Sequence, residues 1–329
     1  MELTLLARER ILKIRGEQAK SIPSKVFFNH FFSILYCLKS NKEKFKLKKI
    51  PYYNKIKIKN ENFDVRQVRK LLWNSWSTEY AYKIGEKIDN NEYYKFSLHW
   101  NFPQAYYSVY LSMTAFHETQ GIANEQHEKS IKQFGNSIKD NHYPSVISFY
   151  SSGLKNEFEY NGLNSFTKFP KENSVLSKIE CLEDAELQLA IFLKTTRIKN
   201  AEDKRNRFAK QKDKRFNNNK GEFRKSFNKE HWDIIYKTIP ITSVFNLLYR
   251  LRIKANYRDI ESFINADIDF KSFHSSLGEL IYYLNFIHEA YIAKAIGITE
   301  YEKILKEFPS HLNKETAIKR FEENIKPLK

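Results

Sequence analysis

A mainly α-helical protein is what this sequence predicts, and three observations carry the prediction. Apolar residues recur at helical spacing through several long windows, helix-breaking residues fall at the ends of those windows, and only short stretches alternate with the period of a strand.

The first window opens near Asn62, with Asp64 as N-cap, and Val65, Val68, Leu72 and Trp76 line one face. The second begins near Pro103, a residue suited to a first turn. It carries Tyr106, Val109, Tyr110, Met113 and Phe116 and ends at Gly121. A third, roughly Glu125 to Lys139, closes on the turn signal Asn141-His142-Tyr143-Pro144. Residues 144–180 are rich in Ser, Asn, Gly and Pro and read as an inserted loop with short strands. Helical character resumes at Glu183, where Ala185, Leu189 and Phe192 share a face. Two later helices are marked by Val244, Leu247, Leu248 and Leu251, and by Leu280, Ile281, Leu284, Ile287, Tyr291 and Ile292, the second capped by Gly297. The tail holds two short amphipathic segments around Pro309 and a polar stub. Before the first window lie the aromatic segment Val26 to Leu38 and a lysine-rich stretch. There Lys55-Ile56-Lys57-Ile58-Lys59 alternates like an edge strand. Three regions follow: a basic N-terminal arm or subdomain over 1–61, a helical domain over 62–297, and a helical tail over 298–329.

The 329 residues carry 56 Lys and Arg against 39 acids, a formal charge of +17. That is more than solubility requires and points to a polyanionic partner, RNA or another nucleic acid; the alternative is a lysine-rich composition of the kind an AT-rich genome encodes. The charge is concentrated. Between Lys194 and Lys229 there are 14 Lys or Arg and four acids, a net of +10, interleaved with Phe208, Phe216 and Phe223. Cations with aromatic rings suit phosphate contact and base stacking, with Arg197, Arg205, Arg207 and Arg215 as candidate ligands. A solvated loop, mobile around Asn217-Asn218-Asn219-Lys220-Gly221, is the other reading of the same tract.

Cys37 and Cys181 form neither a CxxC pair nor a disulfide framework, so a reducing, cytoplasmic setting is expected. Val26 to Leu38 is too short and too polar to span a bilayer, and the start MELTLLARER has no signal-peptide character. No Walker loop, GxGxxG, GxSxG, HExxH or EF-hand sequence stands in a usable context, so neither a cofactor nor a metal is expected.

Two segments carry a family resemblance. Asn101-Phe102-Pro103-Gln104-Ala105-Tyr106-Tyr107-Ser108-Val109-Tyr110, continuing through Ala115 and Gly121 to His127 and Phe134, resembles the central helix of HEPN-superfamily domains with its glycine turn and following helix. Leu248-Tyr249-Arg250-Leu251-Arg252-Ile253-Lys254-Ala255-Asn256-Tyr257-Arg258-Asp259 is similar to the arginine-to-tyrosine stretch of that family's last core helix. The resemblance covers about 62–142 and 183–297. It implies an all-α bundle that pairs with a second copy, and in many members metal-independent RNA cleavage through an Arg-x4-6-His motif. In that motif an imidazole moves the proton and a cation holds the phosphate.

Against that motif the chain departs. Arg252 is present, but Asn256 and Tyr257 stand where the histidine would, so Arg250, Arg252, Asn256 and Tyr257 suit phosphate binding better than proton transfer; pairing of Arg252 with an acid such as Glu289 is the plainer alternative. One formal Arg-x6-His exists, Arg224 to His231, although chance alone yields about one such pair in a chain of this composition. His117-Glu118 and His288-Glu289 each set an imidazole beside a carboxylate. The expected function is thus an RNA-binding HEPN-like protein of a bacterial defence or toxin–antitoxin type system, either a metal-independent endoribonuclease or a nucleic-acid-handling partner of one. The alternatives are a catalytically silent nucleic-acid- or protein-binding subunit of a larger complex, and a helical protein whose basic tract meets an acidic protein or membrane surface.

Overall fold

The computed structural model describes residues 22–58, 63–122, 126–169, 179–255, 263–265 and 268–328. Within them the protein is mainly helical, with one small sheet. The long helices are α1 (Ile22–Ser40), α3 (Val65–Ile88), α5 (Leu98–Thr119), α6 (His127–Lys139), α7 (Leu182–Lys210), α9 (Val244–Ala255) and α10 (Phe270–Ile296). The short ones are α2 (Pro51–Lys55), α4 (Asn91–Phe96), α8 (Lys229–Lys237), α11 (Ile298–Lys306) and α12 (Glu315–Arg320). Helix α5 is the hub, packing on α3, α9 and α10, while α1 packs on α7 and α10.

Local chemistry sets the boundaries. Asp64 caps α3 by accepting from the Arg66 amide, and Asp269 caps α10 by accepting from Ser272. Gly297, at φ +91°, takes the backbone conformation that turns the chain from α10 into α11. Helix α5 starts at Leu98, earlier than Pro103 suggests, so the proline sits inside the helix without breaking it. Residues 26–56 do not form an arm. Phe27, Phe28 and Phe31 pack edge-on against Phe263 and Phe273 in the main core, together with Leu47, Tyr53 and Ile56. The expected edge strand at Lys55–Lys59 is absent among the described residues: Pro51 starts a helical turn ending at Lys55, and Ile56 drops into the core while Ile58 is exposed. Lys59 lies outside the described residues.

The segment after Pro144 forms a hairpin, β1 (Tyr150–Leu154) with β2 (Glu157–Asn161), and β3 (Thr242–Ser243) joins the other edge of β1, all antiparallel. Gly153, at φ +92°, is required there because a Cβ would stand 2.3 Å from the Glu157 carbonyl oxygen. Arg197 of α7 locks the hairpin in place, its guanidinium donating to Gly153 O at 2.7 and 3.1 Å and to Pro240 O at 3.1 Å. Half of the basic tract is therefore regular helix. Its phenylalanines are not stacking platforms: Phe208 and Phe216 are buried, and with Phe223, Phe227, Ile235 and Tyr236 they build a second, smaller core. The Asn218–Glu222 turn is closed by backbone bonds between those two residues and between Gly221 and Asn218.

The C-terminus is not a polar stub, since Phe321, Ile325 and Leu328 are buried. Arg320 is fully buried and donates to Glu79 at 2.9 Å and to Glu289 at 2.5 and 2.9 Å. Trp76 and Tyr301 complete Glu289, and Asn285 donates to Glu79. Burial pushes the Glu79 carboxyl up, but the Arg320 charge and its hydrogen bonds outweigh this and hold it low. Two carboxylates without their guanidinium would repel inside the core, so Arg320→Met is expected to cost about 3–5 kcal/mol in urea unfolding. A loss below about 1 kcal/mol would contradict this role for the triad.

Candidate nucleic-acid interface

The two resembling segments meet in space. Helices α5 and α9 lie side by side, and α6 packs on α9, bringing Tyr106, Tyr107 and Tyr110 of α5 together with His127 at the start of α6 and Tyr249 and Arg252 of α9. The Arg252 Nε donates to the Tyr107 hydroxyl at 3.0 Å. Its guanidinium carbon lies 5.7, 5.4 and 5.9 Å from the Tyr106, Tyr107 and Tyr249 ring centres, within cation–π range. All these residues except the buried Tyr106 are partly exposed, so they form a surface patch.

His127 belongs to the same patch. Its Nδ1 is 2.8 Å from the Tyr106 hydroxyl, and its ring centre is 4.7 Å from that of Tyr110. Partial burial, and then the neighbouring Arg252 charge, push the imidazole below its ordinary value, so it is neutral at pH 7. In the tautomer with its hydrogen on Nδ1, donated to the Tyr106 oxygen, Nε2 carries the lone pair that a general base requires; in the other, Nδ1 accepts from the Tyr106 hydroxyl and Nε2 is a donor. Burial raises the Tyr106 hydroxyl and keeps it a phenol. Glu128, beside His127, pairs with Arg207 at 2.8 Å, tying α7 to the edge of the patch.

The other expected ligands are placed differently. Arg197 is 3% exposed and holds the hairpin. Arg205 donates to Lys225 O and lies over Phe227, while Arg215 pairs with Asp213 two residues away. Arg250 is largely buried, donates to Thr196 Oγ1, and burial lowers it to about 10. Arg224 donates to Asn217 O; the His231 ring packs on Phe216 and Phe227, and its Nδ1 accepts from the Asn228 amide at the start of α8. That sequence pair therefore makes local bonds within the small second core. Asn256 and Tyr257 lie outside the described residues.

Glu289 pairs with Arg320, not Arg252, and His288 is fully buried between Ser112 Oγ at 2.9 Å and Tyr143 OH at 3.0 Å. His117 is also buried. Neither imidazole is open to substrate. Lys210, Lys212, Lys214, Lys220 and Lys225 are exposed on the tract. Among the described residues no group of three or more His, Cys, Asp and Glu could hold a metal, and no helix is long and apolar enough to cross a membrane.

The partnership of His127 with Arg252 has no short-range signature, because the two are far apart in the chain and only the packing of α5, α6 and α9 unites them. No protein-family model matches this chain, and no curated protein or solved structure matches it.

Proposed function

We propose that this protein binds single-stranded RNA at the Arg252 patch, with the exposed lysines of the tract adding electrostatic attraction. The observation that supports this most is the single guanidinium set among three tyrosine rings at a partly exposed surface, beside an imidazole. A cation beside partly exposed aromatic rings suits phosphate contact together with stacking of unpaired bases. The HEPN-like bundle, the pairing with a second copy and the defence or toxin–antitoxin setting follow from the sequence resemblance alone.

Filter retention of a single-stranded RNA tests this reading. Affinity should fall by about 100-fold or more between 50 and 200 mM salt, as neutralised phosphates release counterions. Arg252→Gln should weaken binding by about tenfold, the worth of one stacked or charge-assisted contact. Retention indifferent to both would refute the proposal and favour a protein-binding role.

The neutral His127 favours a second reading, metal-independent cleavage at the same patch. The 2′-hydroxyl oxygen would attack the adjacent phosphorus while its proton passes to Nε2 of His127. The bond to the 5′ oxygen would then break and that oxygen take up a proton from solvent water, leaving a 2′,3′-cyclic phosphate and a 5′-hydroxyl. Arg252 would stabilise the charge gathering on the phosphoryl oxygens.

A further inference from the structure

A second concave site lies on the other flank of α7. Lys194, Ile198 and Glu202, at successive helical turns, line a pocket of about 470 Å³ with Lys155, Asn156, Phe158 and Tyr160 of the hairpin, Phe169, and Trp232 and Tyr236 of α8. Its volume falls in the roughly 300–1,000 Å³ range of small-molecule sites. Glu128, which marks the edge of the Arg252 patch, is reached from α7 by Arg207, on a different face of that helix.

The pocket has two aromatic walls, and each carries a lysine. Trp232, Tyr236 and Phe158 form one, with ring centres 6.3 and 5.4 Å apart, and Lys155 Nζ lies 4.5 Å from the Trp232 ring. Tyr160 and Phe169, 5.4 Å apart, form the other, and Lys194 Nζ lies 4.5 Å from the Phe169 ring. The buried Arg197 guanidinium lies 5.8 and 5.7 Å from the Phe158 and Tyr236 rings of the first wall and is bonded to backbone carbonyls, not open to the pocket. Ile198 remains 37% exposed at this site. Two lining lysines against Glu202 favour an anion, and flat apolar walls favour a planar ring. A lysine already resting on each ring can turn to a phosphate when a ligand ring takes its place on the face.

We propose that this pocket binds a nucleobase together with its phosphate, a nucleoside-phosphate subsite separate from the Arg252 patch. The ligand is either a free mononucleotide or an unpaired nucleotide of an RNA strand, and both present the same base, sugar and phosphate. Glu202 and Asn156 offer hydrogen bonds to the base edge or the ribose.

Calorimetric titration of the full chain with AMP, adenosine, ribose 5-phosphate and a penta-adenylate separates the cases. AMP, the penta-adenylate or both should bind, while adenosine and ribose 5-phosphate should each bind at least about tenfold more weakly, having lost the phosphate or the stacked base. Lys155→Gln with Lys194→Gln, both on the surface, should weaken the binding by about tenfold or more, and Trp232→Leu should do the same. Binding of AMP identifies a free nucleotide as ligand, and binding of the penta-adenylate alone, weakened by the lysine pair, identifies a strand. The penta-adenylate arm is repeated in Arg252→Gln, where the loss caused by the lysine pair should persist. Absence of AMP binding together with penta-adenylate affinity unchanged in the lysine variant, or equal binding of adenosine, overturns the proposal without touching the Arg252 patch.

Discussion

Lowering the pH from 7 to 5 is expected to remove on the order of 8 kcal/mol of folding stability. Four histidines are buried and held uncharged. Burial pushes His30 down to about 3 and His117 and His274 to about 4, and His288 well below its ordinary 6.5. The sign follows from proton counting: in the unfolded chain each imidazole takes up a proton near pH 6.5, whereas in the folded protein it does not, so acid favours unfolding. At pH 5 each such histidine contributes about 2 kcal/mol to the loss. Because domains of this size are stable by only about 5–15 kcal/mol, the protein should be close to unfolding there. Urea midpoints followed by circular dichroism between pH 5 and 7 give the test. A midpoint that stays level across that range would mean the imidazoles are not held neutral in the core. The depressed Glu79 carboxyl acts in the same direction at lower pH, since its stabilisation is lost as it protonates.

The second large effect concerns chemistry. If the patch cleaves RNA, His127→Ala should reduce the rate by about 10²–10⁴-fold, the usual contribution of a positioned general base. His231→Ala should leave it unchanged, because that ring makes its bonds within the second core. Labelled RNA incubated with the protein in EDTA reports both. Equal loss in the two variants would separate the activity from the Arg252 patch, and intact RNA with wild-type protein would leave a binding role alone. The pH profile adds a direction: with the imidazole depressed, cleavage should persist below pH 6.5 and fall as His127 protonates.

Much of the helical framework could be read from the chain because it depends on local rules. The Asp64 cap, the apolar stripe from Val65 to Trp76 and the glycine at 297 each act within a few residues, and each is present in the structure. What could not be read depends on distant partners. Lys55–Lys59 alternates as a strand would, yet a strand needs a neighbouring edge, and the core instead takes Ile56 beside a proline-started turn. The phenylalanines of the basic tract show the same limit, because composition alone does not distinguish a ring facing solvent from one packed against Phe216.

The candidate site divides along the same line. Arg252 stood out from its segment, but its imidazole neighbour comes from the start of α6, and Arg320 in the tail finds Glu79 and Glu289 only through tertiary packing. Arginines whose side chains reach backbone carbonyls, such as Arg197, Arg205 and Arg224, look in sequence like those facing solvent.

The most direct measurement is photocrosslinking of a 4-thiouridine-labelled single-stranded RNA, with the attached peptides located by mass spectrometry. Crosslinks should concentrate on Tyr107, Tyr110, His127 and Tyr249 and weaken in Arg252→Gln. Crosslinks confined to other surfaces, or none at 50 mM salt, would contradict the assignment of this patch to RNA.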